Sequence, residues 1–136
     1  MKTAIDSNIL FDVFLADPKY GESSKKLLEE RYSVGDLIIS EVVYGELSSF
    51  FFLQSSLEAA LEMVGIHFVP MDEEAAFQAG LVFAEYRKRS GPRRRVLADF
   101  LVAGHAKRFA NCLVTRDRGF YRDYFPALKI IEPKFH

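Results

Sequence analysis

An α/β fold on a mostly parallel sheet is the architecture this sequence predicts, and three observations predict it. Short apolar runs recur along the chain, amphipathic segments of helical length separate them, and turn or capping residues mark the junctions. Strands that alternate with helices in this way form parallel sheets flanked by helices, here with about four to five short strands.

The elements follow in order. Met1 to Ile5 reads as a first strand, and Asp6-Ser7-Asn8 supplies capping side chains for a helix over Ile9 to Leu15. Asp17-Pro18 breaks that helix. Glu22 to Tyr32 is amphipathic, with Leu27, Leu28 and Tyr32 expected inward, and Gly35-Asp36 turns the chain into a strand at Leu37 to Ile39. Ser40 is an N-cap candidate for a helix from Glu41 to Leu53, followed by a helix over Gln54 to Val64 with Leu57, Leu61 and Val64 at helical spacing. Ile66 to Val69 is a strand closed by Pro70. Asp72 caps a long helix to Ser90, on which Phe77, Leu81 and Ala84 share a face, and Gly91-Pro92 ends it. Val96 to Ala110 is the next helix; Cys112 to Thr115 and Lys129 to Ile131 are the last strands.

A chain of 136 residues that is 49% hydrophobic has enough material for one domain with a real core, and no repeat, low-complexity tract or linker divides it. The expected domain is therefore residues 1–136. A net charge of -1 excludes a bulk polycation, so nucleic-acid binding has to come from local patches. The single cysteine, Cys112, excludes an internal disulfide framework and a multi-cysteine zinc site; in its apolar run it reads as a buried thiol. No signal peptide or membrane span is legible, which makes the cytoplasm the expected location.

Four carboxylates stand where apolar packing would not choose them. Asp6 and Asp117 each follow an apolar run, at the strand ends beyond which open α/β sheets bind ligands. Helix capping explains either one alone. Glu46 falls among Val43, Leu47 and Phe50 on a predicted helix, a stripe in which an acid needs a cation, a metal or a pocket edge. Asp99 shares a face with Val102, Ala103 and Ala106, although the helix dipole also favours an acid in the first turn. Acids gathered in one pocket repel each other and lose hydration, which a divalent cation relieves. Oxygen donors suit Mg²⁺ or Mn²⁺, whereas His67, His105 and His136 are scattered without zinc-ligand spacing and read as surface or boundary residues. Asp12 and Asp123 read as surface positions on short helices.

Asp6-Ser7-Asn8 after the first strand, Tyr44-Gly45-Glu46-Leu47 on an early helix, Asp99 opening a later helix and Thr115-Arg116-Asp117 after a late strand form an ordered set. In that order and spacing the chain resembles the PIN domain family over essentially its whole length, and among its members the VapC-type toxins of toxin–antitoxin pairs. The resemblance implies a single PIN-like domain acting as a Mg²⁺- or Mn²⁺-dependent endoribonuclease. Asp6, Glu46, Asp99 and Asp117 would be its catalytic acids, with Asp6, Asp99 and Asp117 as metal ligands and Asn8 and Thr115 in support. It also implies an RNA substrate, an antitoxin protein as inhibitor, a homodimer, and assembly on DNA through the antitoxin.

RNA drawn to an acidic pocket needs positive charge at the rim. Arg87-Lys88-Arg89 and Arg93-Arg94-Arg95 flank Gly91-Pro92 just before the helix of Asp99, and Arg116 and Arg118 bracket Asp117. Arg93, Arg94, Arg95 and Arg116 are the substrate-binding candidates. A solvated run at a helix end, and ion pairing of Arg116 with neighbouring acids, are the plainer alternatives. Phe50-Phe51-Phe52 cannot all face one core on a helix, so core plus a subunit or partner surface is expected. Two rival readings are a non-catalytic RNA- or protein-binding module of the same fold and a receiver-like signalling domain.

Overall fold

Strand β1 (Lys2–Ile5) lies at the centre of the sheet, and the rest of the chain is arranged around it. The computed structural model describes residues 1–90 and 95–134. After β1 come α1 (Ser7–Phe14), α2 (Gly21–Tyr32), β2 (Asp36–Ile39), α3 (Glu41–Ser48), α4 (Gln54–Met63) and β3 (Ile66–Phe68). The second half comprises α5 (Glu73–Ser90), α6 (Leu97–Phe109), β4 (Cys112–Val114), α7 (Arg118–Tyr124) and β5 (Ile130–Ile131). The strand order is β3-β2-β1-β4-β5 and every pairing is parallel.

The three central strands are short and uninterrupted by polar alternation because both faces of the sheet are covered. Thr3 to Ile5, Leu37 to Ile39 and Cys112 to Val114 are buried at successive positions, as parallel α/β sheets require. A receiver-like domain pairs its first strand with the second and third. Here β1 pairs with β2 and β4, which removes that alternative.

Chain direction across the sheet reverses at β1. From it the chain steps to β2 and β3 on one side, then returns to lay β4 and β5 on the other. The carboxyl ends of β1 and β4 therefore form the switch point, where doubly wound sheets leave a crevice. Thr3 pairs with Cys112 and Ile5 with Val114, so Asp6 and Thr115 leave the sheet side by side.

Helix α3 stops at Ser48 rather than reaching Leu53. The Ser48 hydroxyl donates to the Tyr44 carbonyl at 2.8 Å and the Ser49 hydroxyl to the Glu46 carbonyl at 2.7 Å, so side chains compete for the groups that would propagate the helix. The three phenylalanines beyond it divide as expected for core plus surface. Phe51 packs against the core and edge-on to Phe14, Phe50 is half exposed and edge-on to Phe11, and Phe52 is fully exposed.

Tyr32 and His105 differ from the sequence reading, and the face of α5 shared by Phe77, Leu81 and Ala84 is the exposed one. Tyr32 is exposed beside Gly65, whose positive φ of 72° turns the chain from α4 into β3 and whose Cβ, if present, would meet the Tyr32 ring at 2.3 Å. On α5 the buried residues are Ala75, Ala79 and Tyr86, while Phe77 and Leu81 face outward. Small residues win because α5 runs close to α6: a Cβ on Gly104 would lie 2.9 Å from both the Ala75 carbonyl oxygen and the Ala79 Cβ. His105 is buried rather than at the boundary, and its Nε2 donates to the Val69 carbonyl at 2.7 Å.

Candidate acidic site

Asp6 occupies the floor of the crevice. Its main-chain N–H still bonds the Val114 carbonyl at 2.9 Å, so its position is fixed by the sheet. Its side chain caps α1 by accepting from the Ser7 N–H at 2.8 Å. The other carboxylate oxygen accepts from the Thr115 hydroxyl at 2.8 Å and the Tyr121 hydroxyl at 3.2 Å. Asp6 is only 7% exposed. Its carboxyl is raised to about 6, burial being the largest cause and the Glu46 charge adding to it, while the Thr115, Ser7 and Tyr121 donors hold it down.

Thr115 ties the two strand ends together. While donating to Asp6, its hydroxyl accepts from the Asp117 N–H at 3.0 Å and from Asn8 Nδ2 at 3.3 Å, which uses the donor and both acceptor positions of a hydroxyl. The Asn8 oxygen completes the link by accepting from the Arg116 N–H at 3.3 Å. These are the two residues expected to support the acids, and they brace the loop carrying Asp117 against α1.

Asp99 is half-buried in the first turn of α6 and accepts from the Val96 N–H at 3.4 Å. Its carboxyl is raised by burial first, lowered by the Val96 bond and by Arg95, and raised again by the charge of Asp117. Glu46 is exposed, because only Val43 and Leu47 of its stripe point inward. It therefore stands at the pocket edge, close enough for its charge to act on Asp6.

Asp117 is held by Arg95. The Arg95 guanidinium meets both carboxylate oxygens, Nη1 on Oδ2 and Nη2 on Oδ1 at 3.0 Å. Its cationic carbon lies 4.2 Å from the centre of the Phe120 ring.

Arg116 and Asp12 make a second pair. Asp12 is not a surface acid: it is 3% exposed, accepts from Arg116 Nε and Nη2 at 2.8 and 3.0 Å, and takes the Ser24 hydroxyl at 2.8 Å. Arg116 also lies over the Tyr20 ring at 3.9 Å, so of the two expectations for it the ion pair with a neighbouring acid is the one found. Arg118 faces Glu132 at 3.7 Å. Arg93 and Arg94 lie outside the described residues, as does His136.

Sequence reasoning missed Tyr121 and the true setting of Asp12. Tyr121 is buried on α7, one helical turn beyond Asp117, and burial with three acid charges holds its phenol far above the ordinary range. Its signal was the spacing to Asp117 within the aromatic run Phe120-Tyr121.

The donor chemistry fits a hard divalent cation. All four acids offer oxygen, and the charges of Glu46 on Asp6 and of Asp117 on Asp99 raise carboxyl groups that a cation would lower. Among the described residues no three acid, histidine or cysteine side chains are yet gathered as an ion cage. No described helix is long and apolar enough to cross a membrane.

A family model described as the PIN domain matches residues 3–125. No curated protein matches by sequence. Among solved structures, the chain is similar to one in VapBC2 from Rickettsia felis bound to a promoter DNA fragment, at 21% identity and TM-score 0.75, covering 98% of this chain and 100% of that one. It is similar to one in VapBC-1 from nontypeable Haemophilus influenzae, at 21% identity and TM-score 0.72, over 97% and 98% of the two chains. VapC20 from Mycobacterium tuberculosis, a toxin that cleaves the sarcin–ricin loop, matches at 15% identity and TM-score 0.54, over 82% of this chain and 86% of its own. At these identities the likeness is one of fold.

Proposed function

The chain belongs to the PIN domain family, and from that premise we propose that it is a metal-dependent endoribonuclease, the toxin of a toxin–antitoxin pair. One observation carries the reading: Asp6 at the end of β1, bound by Thr115 and Tyr121, and Asp117 after β4 flank the switch point, and their carboxylate neighbours pair off there, Glu46 acting on Asp6 and Asp117 on Asp99. Raised carboxyl groups of this kind concentrate at functional sites, which supports the reading.

Asp6, Asp99 and Asp117 would hold Mg²⁺ or Mn²⁺, with Glu46 at the exposed edge acting directly or through water. A bound cation of this kind neutralises charge on the scissile phosphate and makes hydroxide available near neutral pH. The chain supplies the rest. Ser7, Thr115 and Tyr121 fix the Asp6 carboxylate, so its remaining lone pairs keep one direction. Asn8 and Thr115 hold the Asp117 loop against α1. Tyr121, kept neutral by burial, closes the floor behind Asp6 against water. Arg95, with Arg93 and Arg94 beside it in sequence, provides positive charge for the RNA backbone.

The partners follow from the same reading. The VapBC and FitAB structures that resemble this chain are complexes bound to DNA fragments in several cases, which supports an antitoxin partner that carries the DNA contact. The exposed Phe50, Phe52 and Leu53 offer apolar surface for the antitoxin or a second copy. An RNA substrate makes the cytoplasm the site of action.

The test is brief expression of wild type and Asp99→Asn, followed by sequencing of cellular RNA ends. New ends at defined positions in the wild type alone are expected. The same ends from both proteins, or none from the wild type with and without added Mn²⁺ in vitro, would remove the nuclease reading.

A further inference from the structure

Arg95 differs from the other described arginines of the rim. Arg116 is engaged by buried Asp12 and the Tyr20 ring, and Arg118 faces Glu132. The carboxylate under Arg95 is instead one of the proposed cation ligands. Arg95 is held there from three directions: Asp117 in front, the Phe120 ring at 4.2 Å, and the Tyr86 hydroxyl, which accepts from its main-chain N–H at 3.2 Å. The ion pair is still openable, since both side chains are about one-third exposed, at 31% and 33%.

A planar guanidinium that takes both oxygens of a carboxylate fills the facing lone pairs a chelated cation would use, and its charge opposes a cation at the outer ones. Arg95 also acts on Asp99. A cation and Arg95 are therefore alternative partners for the same carboxylate.

We propose that Arg95 is a built-in competitor that holds Asp117 until a divalent cation takes that carboxylate, and that the guanidinium so released is then offered to a backbone phosphate of the RNA. The proposal rests on the metal-dependent nuclease reading. It makes cation and RNA mutually reinforcing: each removes one of the two partners that otherwise satisfy each other. The Tyr86 bond anchors the main chain of Arg95, so the head can leave Asp117 and the Phe120 ring while the backbone stays.

The experiment is a Mn²⁺ titration of RNA-free protein followed by electron paramagnetic resonance of the free ion. It uses wild type, Arg95→Ala, Arg95→Lys and Asp99→Asn, with circular dichroism on each. Arg95→Ala should bind Mn²⁺ about fivefold more tightly, the scale of a part-exposed ion pair. Arg95→Lys, which keeps the charge and loses the paired contact, should recover part of that gain. RNA binding by Arg95→Ala should weaken, with its salt slope smaller by about one phosphate contact. Equal or weaker Mn²⁺ binding by Arg95→Ala would show that Arg95 only orients Asp117, and Arg95→Lys matching the wild type would show that charge alone matters; either result overturns the proposal. If wild type binds Mn²⁺, Asp99→Asn does not, and Arg95→Ala is unchanged, the competitor fails while the nuclease reading stands. If neither wild type nor Arg95→Ala binds, both fall together.

Discussion

Thr115 donates its hydroxyl proton to Asp6 at 2.8 Å across 109 residues of sequence, and the same oxygen accepts from the Asp117 N–H. One hydroxyl thereby sets the separation of two acids on neighbouring strands. Thr115→Val keeps the shape and removes all three bonds. It should cost about 1–3 kcal/mol in urea unfolding, because Thr115 is fully buried and the Asp117 N–H and Asn8 amide lose its oxygen as acceptor. The Asp6 carboxyl, which Thr115 lowers, should titrate still higher in this variant, readable by carboxyl carbon NMR.

Asp6 makes stability fall as pH rises. Its carboxyl stands at about 6 in the folded chain against 3.8 for an ordinary aspartate, so folding favours the protonated form. The stabilisation is complete below about 4 and is lost as pH rises through about 6. Asp6→Asn, which is neutral throughout, should be more stable than wild type near pH 7 by on the order of 2–3 kcal/mol when no divalent ion is added. Guanidinium melts of both proteins at pH 4.5 and 7.5 check this; an equal gap at the two pH values would contradict it.

Cation binding should release protons. Asp6 and Asp99 both have raised carboxyl groups, and only their ionised forms bind a metal. Mn²⁺ affinity should strengthen as pH rises from about 5 to about 7.5, and calorimetry in two buffers of different ionisation heat should report proton release. Flat affinity over that window would count against the carboxylates as ligands.

Asp12→Ala leaves Arg116 without its bidentate partner beneath the Tyr20 ring. Removing one member of a pair in which the acid is buried and the arginine part-exposed should cost about 2–3 kcal/mol, below the full penalty for two buried charges. Since Arg116 follows Thr115 and bonds Asn8 through its N–H, the Asp117 loop should also loosen, seen as faster amide exchange at Arg116 and Asp117.

Gly104→Ala tests the contact between α5 and α6. The added methyl would meet the Ala75 carbonyl and the Ala79 methyl at 2.9 Å, neither of which is the end of a flexible chain. A loss of about 1–3 kcal/mol is expected from thermal melts, with no change in Mn²⁺ binding.

The strand-end acids were legible because strand ends and capping residues leave short-range signals. Asp6 and Asp117 could be put at the sheet edge from the apolar runs before them, and Asn8 and Thr115 beside them from the tripeptides. Periodicity was a poorer guide to faces. It grouped Phe77 with Leu81 on one face of α5 without saying which way that face turns, and close approach to Gly104 buries the other, with Ala75 and Ala79. It also put Glu46 inside a stripe that ends with Leu47, because two serine hydroxyls stop the helix before Phe50 can extend it. The pairings of Asp12 with Arg116 and of Asp117 with Arg95 bridge 104 and 22 residues, and no local pattern announces contacts at such separations.

The central place of β1 also sets when the pocket can exist. Asp6 is made more than a hundred residues before Thr115, and β1 can pair with β2 first, but its other neighbour is β4 at Cys112–Val114. Thr115, Asp117 and Tyr121, which complete the surroundings of Asp6, follow only after that. Closing so long a loop is slow relative to the local helices. A nascent chain thus carries Asp6, Glu46 and Asp99 before the segment that braces Asp6 exists. The order of the strands itself delays the joining of these acids until β4 has been laid down.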